Sequence, residues 1–141
     1  MTDGPQWRCH TCGFTLYIPV PASLTTSQLG LYSDARFPGR AILAFNQHAE
    51  QLEELSSDDR AAFWADGVKV GAAIKRVTGS RRINYAVLGN AEPHLHLQLI
   101  PRKPEVEPLP TRPPWSDSRP LEELDSKTVR DLVQTLQKLL S

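Results

Sequence analysis

An excess of charge of one sign is missing from this chain: sixteen basic residues face sixteen acidic ones across 141 positions. That balance excludes the broad positive field of a nucleic-acid binder, although a small anionic ligand needs only a few local donors. Long apolar runs are missing too. No segment approaches the roughly 20 residues that span a bilayer, and Met1–Trp7 is polar rather than an apolar secretion segment. The expectation is a cytoplasmic protein with neither a membrane nor a nucleic acid as partner. Cysteine is nearly absent, with only Cys9 and Cys12. A chain of this length can bury a core in one domain without disulfide staples. In a reducing compartment the C-x-x-C spacing therefore points to metal or redox chemistry. Histidine is almost as sparse: His10, His48, His94 and His96 must carry whatever imidazole chemistry there is.

Residues 7–13 (WRCHTCG) read as a tight knuckle, and Gly13 can take the positive φ that such turns use. Phe14 to Val20 reads as a short strand, 33–40 (SDARFPGR) as a turn-rich loop, and Ala41–Phe45 as a strand covered on both faces. Ser56 and Asp59 have capping-box spacing, opening a helix that carries Phe63, Val70, Ile74 and Val77 and stops at Gly79. Gly67 and Gly71 each cost that helix roughly 1 kcal/mol of propensity, so close packing by a strand or a second subunit is expected there. A strand follows over Arg82–Leu88, then a turn at Gly89–Pro93 and a strand over His94–Ile100 ending at Pro101.

From Pro104 to Pro120 there are six prolines, which makes an extended arm. Residues 121–141 form an amphipathic helix with Val129, Leu132, Val133, Leu136, Leu139 and Leu140 on one face. The expected class is α+β: a mainly antiparallel sheet with one central helix and one C-terminal helix. Its expected divisions are 1–102, 103–120 (the Pro-rich arm) and 121–141.

The most informative stretch is Pro93-His94-Leu95-His96-Leu97-Gln98-Leu99-Ile100-Pro101-Arg102. Strand side chains alternate, so His94, His96 and Gln98 line one face over about 13 Å, while the leucines between them anchor the other. A neutral imidazole is a competent nucleophile near pH 7, with an ordinary pKa of about 6.5. Attack on phosphorus splits one hard displacement into two, with flanking donors neutralising the phosphoryl oxygens. The same H-x-H spacing also occurs in zinc sites.

PHLHLQLIPR resembles the signature of the histidine triad family. Pro38-Gly39-Arg40-Ala41-Ile42-Leu43 is similar to its glycine-led strand, followed in order by His48, the Ser56 helix and the Asn84 strand. The resemblance covers roughly residues 9 to 102 and implies the family's antiparallel sheet. It makes His96 the nucleophile of a nucleotidyl-histidine intermediate, with Gln98 beside it. Asn84 and Asn90 would touch phosphates or orient the site, and Asp34 would hold the ribose. Arg36, Arg40 and Arg102 are further candidates for phosphate contact. Gln98 stands where hydrolase branches carry a third histidine; glutamine there resembles the nucleotidyltransferases and dinucleoside polyphosphate phosphorylases. A glutamine donates a hydrogen bond but no proton, which suits a good leaving group or an acceptor other than water.

One branch of that family resembles this chain further, in an N-terminal C-x-x-C that binds zinc. By that resemblance Cys9, Cys12, His48 and His94 hold a structural zinc ion. Two thiolates and two neutral imidazoles would balance its charge and fill four positions. His10, inside the knuckle, could replace His48 as a ligand; a redox pair and two idle cysteines remain the alternatives to zinc. The implied substrate is a small-molecule nucleotide, a dinucleoside polyphosphate or related adenylyl compound, and the implied assembly is a homodimer. The competing functional reading is a low-turnover nucleotide-binding module; a C-x-x-C redox protein is the third.

Overall fold

Alternation of apolar residues decides which face each strand turns to the helices. The computed structural model describes residues 6–141, so most of the polar Met1–Trp7 stretch lies outside the described residues. The strands are β1 (Trp7–Arg8), β2 (Thr15–Leu16), β3 (Pro19–Val20), β4 (Ser27–Leu31), β5 (Ala41–Phe45), β6 (Arg82–Ala86) and β7 (His96–Arg102). The helices are α1 (Ser57–Thr78) and α2 (Ser126–Leu140). β1 and β2 make a two-stranded ribbon, and the others an antiparallel sheet in the order β3-β4-β5-β7-β6. The α+β class with its antiparallel sheet and two helices is therefore as expected.

Leu29, Leu43 and Leu97 sit opposite one another across β4, β5 and β7, and all are buried in the main core. The other face carries Gly30, Ile42 and Gln98 in one row and Gln28, Ala44 and His96 in the next. The ribbon lies over this second face, where Cys9, Phe14, Leu16 and Ala44 form a small apolar cluster. Gly30 allows that approach, since a Cβ there would stand 3.1 Å from the Leu16 side chain. The β5 run is thus covered on both sides, as its continuous apolar character requires.

α1 begins at Ser56, whose hydroxyl accepts from the Asp59 N–H at 3.1 Å, and ends on Gly79 at φ 66°. The room left by Gly67 is taken by Leu97 and that left by Gly71 by Tyr85. Strands β7 and β6 therefore explain both glycines, which give no separate reason to expect a helix contact between two copies. α2 lays Val129, Val133, Leu136 and Leu140 into the same core, while Leu139 is exposed. Among the described residues no helix is long and apolar enough to cross a membrane.

Four boundaries differ from expectation. The C-terminal helix starts at Ser126 rather than at 121, because Asp125 caps it by accepting from the Thr128 N–H. The strand over Phe14–Val20 is broken at Tyr17-Ile18, because β2 pairs in the ribbon and β3 at the edge of the main sheet. The strand at Arg82 ends at Ala86, two residues short. β7 starts at His96 and runs through Pro101 to Arg102 rather than stopping at Ile100. Phe45 donates its N–H to the Leu95 carbonyl, and the two-residue alternation from there aims the Pro101 nitrogen toward β5. Pairing with β5 has already ended at Leu99, so the missing proline N–H leaves no partner unmet.

Candidate active site and metal centre

Two backbone hydrogen bonds fix the segment just before β7: Leu95 N–H to the Ala49 carbonyl at 2.6 Å and His94 N–H to the Glu92 carbonyl at 2.8 Å. They bring the loop after β5 against β7, with the rings of His48 and His94 5.8 Å apart. The knuckle between β1 and β2 completes the cluster. The donor atoms of Cys9, Cys12, His48 and His94 all lie within 4.8 Å of one another. Cys12 Sγ is 3.4 Å from His94 Nδ1, and Cys9 Sγ is 3.9 Å from His48 Nδ1. His10 is exposed and does not join them.

The chemistry of this donor set fits a tetrahedral metal ion. His94 is fully buried, and its Nε2 lies 2.8 Å from the Phe45 carbonyl. A carbonyl only accepts, so Nε2 carries the proton and Nδ1 turns a lone pair toward the thiols. Burial works against the Cys9 thiolate, but the backbone N–H groups of Cys12 and Thr11 outweigh it and bring its pKa down to about 6. Burial pushes the Cys12 thiol up, with its neighbour Cys9 adding to the rise. Both cysteines are free thiols.

His96 stands two residues on, buried, with its ring stacked 5.0 Å from Phe14, which also stacks on His94. Its Nδ1 lies 2.7 Å from the His94 carbonyl and must donate to it. Nε2 is then the nitrogen with a free lone pair. His96 and Gln98 wall a cleft of about 660 Å³, together with Phe14, Tyr32, Glu92 and Glu123 among others. Among the described residues no lysine or arginine lines it.

Gln98 is held from behind. Arg40 Nη2 donates to its Oε1, while Arg40 Nη1 donates to Asp34 at 2.9 Å and its guanidinium lies 4.3 Å from the Tyr32 ring. Arginine has no acceptor, so this contact fixes which end of the amide faces Arg40 and leaves the NH₂ group for the cleft. Asp34 is fully buried, gripped by Arg36 through two bonds of 3.0 Å and by Arg40. The structure therefore does not offer Asp34 to a ribose at the cleft, and Arg36 and Arg40 are engaged with it.

Burial raises the Asp34 pKa, but hydrogen bonds from the Arg36 side chain and backbone and from Arg40 outweigh it and hold the carboxyl below its ordinary value. A lowered pKa contributes stability above the unfolded value of about 3.9 and loses it as pH falls through the folded value. Asp34→Asn is expected to cost roughly 2–4 kcal/mol at pH 7, less than a wholly dry pair because both arginines keep some water contact. Urea unfolding at pH 7 and pH 3 checks this: the gap between variant and wild type should shrink at the lower pH.

The remaining expected contacts lie elsewhere. Asn84 and Arg102 line a second cleft of about 610 Å³ beyond Ala86, and Asn90 is exposed beside a third hollow near Glu50 and Pro93. The Arg102 guanidinium is buried and occupied by Glu107 at 2.7 Å, Asn84 at 2.8 Å and the Leu109 carbonyl at 3.3 Å. It clamps the start of the arm. Sequence reasoning missed Phe14, the Arg40 contact and the two glutamates. Phe14 beside the knuckle was a readable signal; Glu123 reaches the cleft only through the path of the arm.

No family model and no curated relative matches the chain, so likeness is carried by solved structures. A histidine triad protein from Bradyrhizobium japonicum shares 23% identity at a TM-score of 0.78, covering 97% of this chain and 100% of that one. A histidine triad (HIT) protein from Sinorhizobium meliloti shares 27% identity at 0.76, covering 86% and 90%. A Zn-bound histidine triad family protein from Mycobacterium smegmatis shares 18% identity at 0.58, covering 84% and 86%. The chain has the fold of histidine triad proteins.

Proposed function

We propose that the chain is a zinc-binding member of the histidine triad family and an enzyme that acts at the α-phosphate of a nucleotide through His96. One observation carries the reading: the His94 carbonyl accepts a hydrogen bond from His96 Nδ1–H, which in the neutral ring leaves the Nε2 lone pair free on a histidine of the cleft wall. Nε2 forms the P–N bond while the bond from phosphorus to the bridging oxygen breaks, and the leaving group departs with that electron pair. Water or inorganic phosphate then attacks phosphorus and breaks the P–N bond. Gln98, its amide held by Arg40, donates to a phosphoryl oxygen but gives no proton to the leaving group. The leaving group must therefore depart well as an anion, as the far half of a dinucleoside polyphosphate does. Asp34 positions Arg40, and Arg102 positions the arm.

Cys9, Cys12, His48 and His94 would hold the zinc ion, which supplies cross-linking of the knuckle to the sheet and no chemistry at phosphorus. Because Phe14 follows the knuckle, that cross-link also keeps its ring on His96.

A second reading, a nucleotide-binding module with little turnover, is favoured by Glu92 and Glu123 lining a cleft without a basic residue. Chromatography of products from diadenosine tetraphosphate separates the two. AMP with ATP is expected if water is the acceptor, and ADP with ATP, only when phosphate is added, if phosphate is. Nucleotide binding with no product in either condition would overturn the enzymatic reading in favour of the module.

A further inference from the structure

The two clefts on the outer face of the sheet differ sharply in charge. The His96 cleft is lined by Glu92 and Glu123 and no cation. The second cleft is lined by Arg81, Arg82 and Arg112, with Arg102 at its base, and, among the described residues, by no carboxylate. Among the described residues none of Arg81, Arg82 and Arg112 has an ion-pair partner. Ala86 of the second cleft and Gln98 of the first are directly paired across β6 and β7, so their side chains share one face and the clefts adjoin there. From Ala86 to Arg82 is four strand residues, about 13 Å.

The second cleft is also built rather than incidental. Glu107 neutralises Arg102 and accepts the Lys103 N–H, which seats the arm along one wall. Arg102 Nη1 donates to Asn84 Oδ1, so the Asn84 NH₂ is left as a donor, the same device by which Arg40 orients Gln98. Farther along the arm Pro114 is buried while Trp115, next to it, is 64% exposed and lines the cleft.

We propose that this cleft binds the phosphate-bearing distal part of the substrate, the nucleotide beyond the bond that His96 breaks. Its phosphates meet Arg81, Arg82, Arg112 and the Asn84 amide, and its base lies against Trp115. The inference rests on the enzymatic reading above and deepens it: the acidic cleft holds the nucleotidyl group that becomes attached to His96, and the basic cleft holds the charged leaving group. That division explains why the cations are absent from the nucleophile's own cleft.

The test compares wild type with the Arg81→Ala/Arg112→Ala double variant on two substrates, diadenosine tetraphosphate and adenosine 5′-phosphoramidate, which has no distal nucleotide. The ratio of kcat/KM for the first over the second should fall roughly tenfold or more. An unchanged ratio overturns the proposal. Tripolyphosphate titrated against tryptophan fluorescence, with Trp115→Phe as control, judges the cleft separately. Binding that disappears in the double variant supports the cleft as a polyphosphate site, even if neither substrate turns over and the enzymatic reading has failed. Equal binding by wild type and double variant, or orthophosphate binding as tightly as tripolyphosphate, overturns it.

Discussion

His96→Ala is expected to lower turnover of a dinucleoside polyphosphate by roughly 10⁴-fold or more, the scale on which losing a covalent nucleophile falls. Two groups that could substitute for it are disarmed by the structure. His94 commits Nε2 to the Phe45 carbonyl and faces Nδ1 to the thiols, and Gln98 has no lone pair suited to phosphorus. The loss should appear in kcat, with nucleotide affinity changing far less, because Tyr32, Phe14 and Gln98 still line the cleft. Wild type mixed with substrate and quenched without acid should carry a nucleotidyl group on His96 by mass spectrometry, and the variant none. His96→Asn keeps polar bulk near the His94 carbonyl and separates chemistry from packing; it should be equally inactive with a melting temperature close to wild type. Turnover retained in both variants would remove His96 from the mechanism.

How much of this was legible in the sequence follows from how local each signal is. The alternation in HLHLQL fixed a face for His96 and Gln98, and the Ser56 and Gly79 caps fixed the ends of α1, because each depends on neighbours within a turn or a strand. Gathering Cys9, Cys12, His48 and His94 was anticipated only through family resemblance; the structure brings their donor atoms within 4.8 Å. Side-chain pairing was the part that could not be read. Asp34 and Arg102 are residue types that suit a nucleotide, yet each is engaged by neighbours set by the tertiary fold, Arg36 and Arg40 for the first and Glu107 for the second, while Asn84 gives its oxygen to Arg102 and keeps only its NH₂ group. Spacing along the chain says nothing about whether an arginine is free or held. Strand ends were misplaced for a similar reason, since the fate of Pro101 depends on where β5 stops.

Metal uptake should show a pH dependence that changes slope, and the two thiols set where. Cys9 is held down to about 6, so near pH 7 it is already a thiolate, whereas the Cys12 thiol is raised and must lose its proton to solvent when the ion binds. Counting the thiols alone, binding releases one proton above about pH 6 and two below it, so zinc affinity falls about tenfold per pH unit and then about a hundredfold. Competition against a chromophoric chelator at pH 7.5, 6.5, 5.5 and 4.5 reads both slopes, one on each side of the break near pH 6. One zinc per chain is expected for wild type and none retained after chelation by Cys9→Ser. The energetic consequence is smaller than the roughly 10–16 kcal/mol of a zinc finger, whose whole fold depends on its ion. Here the large core between sheet and helices has no cysteine in it, and only the cluster of Cys9, Phe14, Leu16 and Ala44 leans on the knuckle. Chelation should therefore leave the helical circular dichroism nearly intact while slowing turnover, because Phe14 no longer holds His96 in place. Metal removed completely with activity and knuckle unchanged would show that the ion is dispensable, and that packing of Phe14 on the two histidines is enough to position the nucleophile.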